Sequence, residues 1–361
     1  SKMKYDYTVF IGRFQPFHNG HAHVLTEALK HSRKVIVLVG SSGVARSWRN
    51  PFTYSERASM IYNWALHYNG NDSYDKIITI PLGDHTYNNQ AWITQVQQLV
   101  TGAVHADDRH WTDKPASISL IGHSKDSSSF YMSMFPQWNT IDVSAFTDRH
   151  LVNATEIRNQ YFSFTSEVEP MLKEHSIPQS TVEFMMAFHG SPDWNKLRDE
   201  HNYLLKYRED HKYAKNVSYN PTHTTVDACV VQSGHILLIR RGANPGKGLL
   251  ALPGGFVNEY EKLKDAMLRE LREETKLKVP TPVLRGNIRK REVFDEPHRS
   301  GRGRIFSHTF LIVLPPDPKG LPRVKGSSDA VGAVWMPLSE LKECDFFEDH
   351  YHIIMRMTGD L

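Results

Sequence analysis

Along the first half of the chain, short apolar runs alternate with segments in which apolar residues recur every three or four positions. Residues 7–11 and 34–39 are apolar-rich runs that end at a glycine, as expected for strands buried in a parallel sheet. Between them, the apolar spacing predicts a helix over residues 21–31. The same criteria predict two more helices, at 55–68 and 88–100, and two more strands, at 76–80 and 117–121. This alternation predicts an α/β fold with a parallel sheet and helices on both faces.

The pattern changes in the second half. Residues 193–210 are highly charged and helical with little apolar stripe, and we interpret them as a connecting helix. From residue 224 onward two predicted strands flank the turn Ser233-Gly234, which is a hairpin signal, and a helix is predicted over residues 261–275. Three further strands are predicted at 288–293, 306–314 and 331–335. The second half is therefore predicted to be a mixed α+β domain.

Length and composition fit two globular domains. At roughly 100–200 residues per domain, 361 residues predict two, which we place at residues 1–182 and 183–361, with the connecting helix in the second. No apolar run approaches the roughly 20 residues that span a bilayer, and the first residues lack the apolar segment of a secretory signal. The two cysteines, Cys229 and Cys344, exclude a Cys-x-x-Cys zinc ribbon and argue against a disulfide framework. We therefore expect a cytoplasmic protein.

The net charge and the distribution of basic residues indicate which class of partner the protein binds. The net charge of +3 is too small to indicate nucleic-acid binding, and the basic residues cluster locally, for example over residues 285–304. Such clusters suit small anionic ligands. We therefore expect small-molecule substrates, with no nucleic-acid partner and no membrane partner, and the sequence is compatible with a homo-oligomer.

The segment from Gly12 to His21 joins the first predicted strand to the first predicted helix. Ligands bind at this carboxyl edge of a parallel sheet, and a helix N-terminus offers phosphate its unpaired N–H groups and a positive dipole end. Gly12 permits close approach of the backbone to a ligand. His18 and His21 are three residues apart, so both can donate hydrogen bonds to phosphate within one site. The alternative is a turn with two incidental histidines, which the position between strand and helix disfavours.

Residues 18–21, His-Asn-Gly-His, resemble the His-x-Gly-His motif of the nucleotidyltransferase superfamily. The longer run 12–21 is similar to archaeal-type nicotinamide-mononucleotide (NMN) adenylyltransferases. Residues 50–57 resemble the Asn-Pro-Phe-Thr…Glu-Arg segment of that family. Residues 153–158 resemble its Ser-x-Thr-x-Ile-Arg signature, although the first two, Asn and Ala, depart from it. The resemblance covers about half of the chain and implies a Rossmann-like fold for that half.

This resemblance implies adenylyl transfer, in which the 5′-phosphate of NMN attacks the α-phosphorus of ATP in line and pyrophosphate leaves. No protein nucleophile is needed, so catalysis consists of positioning and charge stabilisation. Mg²⁺ on the ATP phosphates is expected, with Mn²⁺ as an alternative. The resemblance implies catalytic roles for Arg13, His18, His21 and Arg158. It implies substrate contacts for Gly12, Phe14, Asn50, Phe52, Arg57, Trp92, Lys125 and Thr155.

Several of these residues have structural alternatives. Thr53 and Glu56 have the spacing of a capping box for the helix that begins there. Arg57 and Lys125 can be solvated surface charges. Trp92 can belong to the core, while the family resemblance implies stacking on the nicotinamide ring.

Glutamates between Gly255 and Leu277 give the strongest chemical signal in the sequence. On a helix, Glu270 lies about one turn before both Glu273 and Glu274, so the three carboxylates share a face. Such crowding destabilises a helix unless a cation neutralises it, and carboxylate oxygens suit Mg²⁺ or Mn²⁺. The alternative is a solvated charged helix, which composition alone would favour and the fixed spacing disfavours.

The spacing resembles the Nudix box, Gly-x5-Glu-x7-Arg-Glu-U-x-Glu-Glu-x-Gly-U, where U is a bulky aliphatic residue. Every charged position matches, and the one departure is Lys276 in place of the last Gly. Because glycine commonly ends a helix in left-handed geometry, we expect Lys276 to cost some stability without removing a ligand. The resemblance implies metal ligation by Glu270, Glu273 and Glu274, with Glu261 as an outer ligand, and catalytic roles for Glu273 and Glu274. The general base is either one of these residues or an acid on a later loop.

Substrate choice lies outside the box. Residues 249–256 and 293–304 resemble ADP-ribose pyrophosphatases of the kind fused to this adenylyltransferase. That resemblance implies Mg²⁺-dependent hydrolysis of ADP-ribose to AMP and ribose 5-phosphate. Arg299, Arg302 and Arg304 are then expected to hold phosphate or the terminal ribose; the alternative is a mobile basic loop.

Three alternative functions remain. The first half can transfer a nucleotidyl group to another phosphate, such as phosphopantetheine or FMN, although residues 50–57 and Trp92 favour NMN. It can be a remnant of a tRNA synthetase, although no Lys-Met-Ser-Lys-Ser-like loop is present. The Nudix half can act on another nucleoside diphosphate or serve as a ligand sensor without catalysis, which the intact acids disfavour.

Overall fold

The computed structural model describes residues 4–107, 114–123, 127–143, 153–163, 167–212, 219–325 and 330–361. The chain divides into two compact units, Ser1–Arg198 and Asp199–Leu361. A boundary between independently folding domains at 182/183 stays a prediction. Within the described ranges, no helix combines the length and apolar character needed to cross a membrane.

A five-stranded, wholly parallel sheet forms the centre of the first unit, with the strand order β3-β2-β1-β4-β5. Its strands are β1 (Tyr5–Gly12), β2 (Ser32–Val39), β3 (Ile77–Pro81), β4 (Ile118–Gly122) and β5 (Asn139–Asp142). The order reverses between β1 and β4, so the carboxyl ends of these strands form the switch point at which such sheets bind ligands. The α/β prediction is confirmed.

Both faces of this sheet are covered, as the continuous apolar runs predict. Along β2, Val35 and Val37 belong to one buried cluster, and Ile36 and Leu38 belong to another. The helices are α1 (Asn19–His31), α2 (Tyr54–Tyr74), α3 (Asn89–Ala106), α4 (Ala154–Tyr161), α5 (Val168–Glu174), α6 (Gln179–Phe188) and α7 (Pro192–Asp210), and a 3-10 turn covers Ser127–Ser133. The N-terminal half of α7, up to Arg198, belongs to this unit.

The second unit contains a mixed sheet with the central order β10-β11-β6-β7-β12. Its strands are β6 (Thr222–Gln232), β7 (His235–Arg241), β8 (Leu250–Ala251), β9 (Gly254–Phe256), β10 (Ile288–Phe294), β11 (Arg304–Leu314) and β12 (Ala330–Pro337). β6 and β11 run parallel, and the other pairs are antiparallel. Ser233 and Gly234 both have positive φ, 48° and 73°, which confirms the predicted hairpin turn.

The remaining helices of the second unit flank this sheet. They are α8 (Leu263–Thr275), α9 (Thr281–Gly286) and α10 (His350–Thr358), with 3-10 turns at Leu338–Glu340 and Glu343–Asp345. α8 begins two residues later than predicted, so Glu261 precedes the helix. The sequence does not predict the short helices α4 to α6, α9 and α10 or the short strands β5, β8 and β9, because segments of two to ten residues give too few repeats of apolar spacing to be told from loops.

The connecting helix, α7, has a buried face, although charged residues dominate its sequence. Trp194, Leu197, His201 and Leu204 are each less than 5% exposed and follow one another at intervals of three or four residues. The prediction of little apolar stripe is therefore wrong, because a wide charged face surrounds a narrow buried one.

Candidate active sites

Gly12, at the carboxyl end of β1, begins the first candidate site. Its carbonyl oxygen accepts a hydrogen bond from the backbone N–H of Gly40, which follows β2, at 2.7 Å. A Cβ on Gly12 would lie 2.8 Å from Cζ of Phe14, so the ring requires glycine there. Phe14 is 1% exposed, with a φ of 53°. Its ring therefore packs beneath the loop and supports it instead of making the predicted substrate contact.

His18 and His21 form a stacked pair at the start of α1, with ring centroids 3.7 Å apart. Nδ1 of His18 accepts hydrogen bonds from the backbone N–H groups of Gly20 at 3.1 Å and His21 at 3.4 Å. Nδ1 of His21 accepts from the backbone N–H of His18 at 3.2 Å. Because both Nδ1 atoms accept, each ring carries its proton on Nε2. The helix cap therefore makes both rings donors through Nε2.

Aromatic packing keeps His21 uncharged. Its ring centroid lies 4.8 Å from that of Phe14, edge-on, and 6.0 Å from that of Phe17, stacked. Burial lowers the pKa of His21 well below its usual value, and the neighbouring His18 lowers it further. At neutral pH, His21 therefore offers an anion a hydrogen bond in place of a full positive charge.

Arg13 extends across the same loop. Its Nε donates to Oδ1 of Asn50 at 3.2 Å, and its Nη2 donates to the carbonyl oxygen of Arg49 at 2.8 Å. Burial, together with the charges of Arg49 and Arg158, lowers the pKa of Arg13 to about 9. Asn50 therefore acts on this site by orienting Arg13.

Arg158 reaches the loop from α4. Its Nη1 donates to the carbonyl oxygen of Gln15 at 2.8 Å, and its guanidinium lies 5.1 Å from the ring centroid of Trp48. Its Nε is buried without a hydrogen-bond partner. Burial, with Arg49 nearby, lowers the pKa of Arg158 to about 10. A buried donor of this kind is suited to a bound phosphate oxygen.

Asn153 preserves the start of α4 despite its departure from the family signature. Its Oδ1 accepts from the backbone N–H groups of Thr155 at 2.9 Å and Glu156 at 3.3 Å. Asparagine is among the preferred N-cap residues, so it replaces the usual hydroxyl. Oγ1 of Thr155 accepts from Nη2 of Arg158 at 3.4 Å, so Thr155 helps to orient that arginine.

Arg57 holds the loops together through all five of its N–H groups. It donates to the carbonyl oxygens of Arg13, Gly40, Ser41 and Thr53 and to the hydroxyl of Ser42. Its side chain is 1% exposed. No donor is left for a ligand, so Arg57 positions Arg13 and is not itself placed to make the predicted substrate contact.

Three more predicted contacts have different positions. Phe52 is 2% exposed and packs edge-on against Phe188 at 5.5 Å, so its ring belongs to the core and not to a ligand surface. Trp92 is half-buried on α3, 6.0 Å from the ring of Phe130, and its stacking on nicotinamide stays a prediction. Lys125 lies outside the described residues.

Residues that the sequence pattern does not single out connect the loops of this site. Gln15 exchanges two hydrogen bonds, each 3.0 Å long, with the backbone of Phe52. Ser41, with a φ of 48°, donates from Oγ to Oδ1 of Asp84 at 2.7 Å. Contacts between distant loops leave no periodic signal in the sequence. In contrast, the predicted capping box is confirmed, with Thr53 and Glu56 exchanging hydrogen bonds at 2.8 and 3.3 Å.

The second candidate site forms where α8 approaches β9. A Cβ on Gly255 would lie 2.6 Å from the carboxyl group of Glu270. A Cβ on Gly254 would lie 2.1 Å from the carbonyl oxygen of Val226 and 2.3 Å from Oδ1 of Asp227. Both glycines are therefore required by close approach, and the first glycine of the Nudix box makes room for its own glutamate.

Arg269 joins the acids of the box. It donates from Nε to Glu261 at 3.0 Å and from Nη1 to Glu270 at 2.9 Å and Glu273 at 3.3 Å. Glu261 also accepts from the backbone N–H of Asn258 at 2.9 Å. Glu261 thus fixes both the loop before α8 and the orientation of Arg269.

Glu274 turns away from this arginine toward β9, where it accepts from the backbone N–H of Gly254 at 3.2 Å. Among the described residues, no three carboxylates of the box bring oxygens within 4.8 Å of one another. The side chain of Glu273 is 57% exposed, so rotation can bring its carboxylate toward Glu270 and Glu274.

The electrostatics of these acids suit a cation. Burial, together with the charges of Glu270 and Asp227, raises the pKa of Glu274 to about 8, although the hydrogen bond from Gly254 opposes this rise. Burial also raises the pKa of Glu270, which the hydrogen bond from Arg269 opposes. A divalent cation would stabilise the ionised form of such crowded carboxylates, and hard oxygen donors match Mg²⁺ or Mn²⁺.

Lys276 ends α8 in the left-handed conformation, with φ 52° and ψ 32°. Its backbone N–H donates to the carbonyl oxygen of Arg272 at 2.9 Å. The helix therefore ends where a glycine would end it, and the backbone of Lys276 adopts the left-handed geometry that is costly for a residue with a Cβ.

The predicted arginines of the later loop have different roles. Arg299 makes two hydrogen bonds of 2.9 Å with the carboxylate of Asp349, and its side chain is 2% exposed. It therefore forms a buried ion pair and not the predicted ligand contact. Arg304 donates to the carbonyl oxygen of Asp295 at 2.6 Å and lies over the ring of Phe306. Both arginines stabilise the loop.

Arg302 is the one of these three that lies beside the Nudix box. Its guanidinium is 5.5 Å from the ring centroid of Phe256, the residue after Gly255. It donates to Oε1 of Glu348 at 3.3 Å and to Oγ of Ser300 at 3.1 Å. The geometry therefore selects Arg302 as the candidate for contact with an anionic ligand.

Three further residues, which the sequence pattern does not single out, lie around this site. Arg241 lies 4.1 Å from the ring centroid of Phe347, and the charges of Arg302, Glu348 and Glu274 act on it. Burial raises the pKa of Asp227, beneath Gly254, to about 6. The carboxylate of Glu348 accepts a hydrogen bond from Arg302 and offsets its positive charge. Each residue lies on a different element from the box, so only the tertiary fold brings them to it.

Two families match the chain, one in each half. Residues 9–160 match the cytidylyltransferase-like family, and residues 221–357 match the NUDIX domain. The nicotinamide/nicotinic acid mononucleotide adenylyltransferase of Acinetobacter baylyi is 33% identical over 55% of this chain and 94% of that protein. The ADP-ribose pyrophosphatase of Methanocaldococcus jannaschii is 35% identical over 42% of this chain and 80% of that protein.

Two solved structures resemble the whole chain. A bifunctional NMN adenylyltransferase/ADP ribose pyrophosphatase from Francisella tularensis is 35% identical, with a TM-score of 0.86 and 99% of each chain covered. The same protein complexed with AMP and a manganese ion is 34% identical, with a TM-score of 0.85 and the same coverage. Both halves and their order along the chain are therefore shared with these structures.

Proposed function

The chain belongs to the family of bifunctional NMN adenylyltransferase/ADP-ribose pyrophosphatases, and we propose that it carries out both reactions. The first unit transfers the adenylyl group of ATP to NMN, giving NAD and pyrophosphate. The second unit hydrolyses ADP-ribose to AMP and ribose 5-phosphate. The observation that supports this proposal is that each unit assembles the motif of its own family: histidines and arginines suited to phosphate in the first unit, and carboxylates suited to a divalent cation in the second.

In the first reaction, the protein supplies position and charge. Nε2 of His18 and of His21 donate hydrogen bonds to the ATP phosphates as the N-terminus of α1 faces them. Arg13 and Arg158 neutralise the β- and γ-phosphates and the departing pyrophosphate, because their guanidinium groups are held in place by backbone carbonyls. Attack by the NMN phosphate needs no nucleophile from the protein.

In the second reaction, the acids of α8 provide the site for a divalent cation. Glu270, Glu273 and Glu274 are the proposed ligands, and Glu261 acts as an outer ligand that also orients Arg269. A divalent cation supplies charge stabilisation for the diphosphate and a lower pKa for water. Arg302 binds an oxygen of the diphosphate or of the terminal ribose. The general base is either one of the acids of the box or an acid on a later loop. Glu348, which accepts a hydrogen bond from Arg302, is such an acid.

Mg²⁺ is the proposed ion at both sites, with Mn²⁺ as the alternative. The carboxylate donors of the second site fit either ion, because both are hard cations that prefer oxygen. A cytoplasmic location, the absence of nucleic-acid and membrane partners, and the oligomeric state stay predictions.

Product analysis tests both activities on the full chain. One sample contains ATP, NMN and Mg²⁺, and the other contains ADP-ribose and Mg²⁺. NAD with pyrophosphate in the first sample, and AMP with ribose 5-phosphate in the second, are expected. NAD formation alone would reject ADP-ribose as the second substrate and would favour another nucleoside diphosphate or a ligand sensor.

A further inference from the structure

The second half of α7, residues 199–210, holds in place the loop that carries Arg302. Arg208, in the part of α7 that belongs to the second unit, donates two hydrogen bonds to the carbonyl oxygen of Gly301. They measure 2.9 Å from Nε and 2.7 Å from Nη2. One turn earlier, Leu204 is 4% exposed, and a Cβ on Gly301 would lie 3.0 Å from its Cδ1. One helix therefore holds Gly301 by a polar and an apolar contact together.

Arg302 follows Gly301 directly, so its position depends on this attachment. Its guanidinium then reaches Glu348 at 3.3 Å and the ring of Phe256 at 5.5 Å. Phe256 follows Gly255 in β9, against which the first glutamate of α8 packs. A shift of Gly301 would therefore move Arg302 relative to the acids of the box.

Tyr207, the residue before Arg208, interacts electrostatically with this loop. Its phenol lies within the electrostatic reach of Arg302; burial raises the pKa of Tyr207, and the charge of Arg302 opposes that rise. Its ring also stacks on His211 at 4.0 Å. The same stretch of helix thus binds the backbone of the loop at Gly301 and interacts electrostatically with its charged side chain, Arg302.

We propose that the second half of α7 is a positioning element of the hydrolase site, in which Arg208 fixes Gly301 and thereby aims Arg302 at the anionic part of a nucleoside diphosphate-sugar. The inference rests on the proposed hydrolase function. A carbonyl oxygen that accepts two bonds from one guanidinium is firmly anchored. A loop without that anchor loses more conformational entropy when substrate binds, so the effect falls on substrate binding more than on the chemical step.

Steady-state hydrolysis of ADP-ribose by the full chain tests this role. Arg208→Ala is expected to raise KM roughly tenfold, as expected for loss of charge-assisted hydrogen bonds, with kcat within about twofold of the wild-type value. Arg208→Lys keeps one donor for Gly301 and is expected to restore most of the KM. Lys206→Ala is the matched control, because it removes the same charge from an exposed position on the same helix. An unchanged KM in Arg208→Ala, or an equal rise in Lys206→Ala, would overturn the proposal.

A double-mutant cycle separates positioning from general electrostatics. If Arg208 acts through Arg302, Arg208→Ala combined with Arg302→Ala has the KM of Arg302→Ala alone; additive losses would contradict the proposal. NAD synthesis and circular dichroism check that each variant is folded. If Arg208→Ala does not fold, Arg208→Met replaces it, because methionine keeps a long side chain without a hydrogen-bond donor. If wild-type protein did not hydrolyse ADP-ribose, the proposed function would fail, while the same cycle on calorimetric ADP-ribose affinity would still decide the role of Arg208.

Discussion

Two buried histidines have a lowered pKa but different proposed roles. His21 and His350 both have a lowered pKa, in each case mainly because burial disfavours the charged ring. His21 accepts at Nδ1 from the backbone N–H of His18, the N-cap of α1, which leaves Nε2–H for the proposed phosphate ligand. Nδ1 of His350 accepts from the backbone N–H of Leu252 at 3.0 Å, which fixes the strand segment before the Nudix glycines. His350 therefore has a structural role, whereas the proposed role of His21 is to bind phosphate.

His350 makes the stability of the second unit depend on pH. Its pKa is lowered to about 3, whereas a histidine in the unfolded chain titrates near 6.5. The unfolded chain therefore binds more protons as the pH falls below that value, and stability falls by up to about 1.4 kcal/mol per pH unit. His350→Asn keeps an acceptor for Leu252 without a titrating ring, so we expect a shallower loss of stability between about pH 6.5 and 5.

Urea unfolding of the full chain, followed by circular dichroism across this range, measures the difference. His235→Asn, at a partly exposed position of the same unit, is the control and should keep the wild-type pH dependence. Equal pH dependence in His350→Asn and wild type would show that His350 does not carry the effect.

At the scale of elements, the contact between β9 and α8 sets the geometry of the hydrolase site. Gly255 leaves the space that the Glu270 carboxylate occupies, and Glu274 is held by the backbone of Gly254. A strand of three residues thus positions two of the proposed ligands, while the end of α8 depends on a single residue, Lys276.

Gly255→Ala is expected to lower hydrolysis by at least about a hundredfold, because its Cβ would lie 2.6 Å from the Glu270 carboxyl group and displace a proposed ligand. NAD synthesis should be unchanged. Gly286→Ala is the matched control, since a Cβ there would meet no atom within 4 Å. Near-normal hydrolysis by Gly255→Ala would show that this close approach is not needed for catalysis.

Lys276→Gly is expected to stabilise the second unit by about 1 kcal/mol, because glycine adopts the left-handed conformation without the cost that a Cβ imposes. The expected rise in melting temperature is about 2–4 °C by scanning calorimetry. Lys276→Ala keeps the Cβ and should give no such gain. If both variants melted together, relief of backbone strain would not be the cause.

At the scale of the molecule, each unit has its own sheet, core and proposed site. The residues proposed to act in adenylyl transfer all lie before residue 199, and the residues proposed to act in hydrolysis all lie after it. The two activities should therefore respond to mutation separately.

His21→Ala is expected to lower NAD synthesis at least about a hundredfold, the usual effect of removing one donor to a charged transition state, and to leave ADP-ribose hydrolysis intact.

Glu273→Gln combined with Glu274→Gln should abolish hydrolysis and leave NAD synthesis intact, because amides bind divalent cations poorly. Both reactions are assayed on each folded variant, and His31→Ala, at the other end of α1, is the control. Loss of both activities from one folded variant would rule out independent sites.

The sequence by itself determined the parts that depend on local order. Apolar runs gave the long strands, their alternation with helical stripes gave the parallel sheet, and two motifs located the candidate sites, since each motif is contiguous along one strand–helix or helix segment. The turn at Ser233-Gly234 and the cap formed by Thr53 and Glu56 are local in the same sense, and the structure confirms both.

Only the tertiary structure decided which predicted residues face a ligand. The sequence analysis predicts substrate contacts for Arg57 and Arg299. In the structure, Arg57 donates all five of its N–H groups to loop residues, and Arg299 pairs with Asp349. Arg208 gave no signal at all, because its partner Gly301 lies far along the chain. Sequence fixes which groups are available within a few residues, whereas burial and contacts between distant segments decide whether each group supports the fold or remains open to substrate.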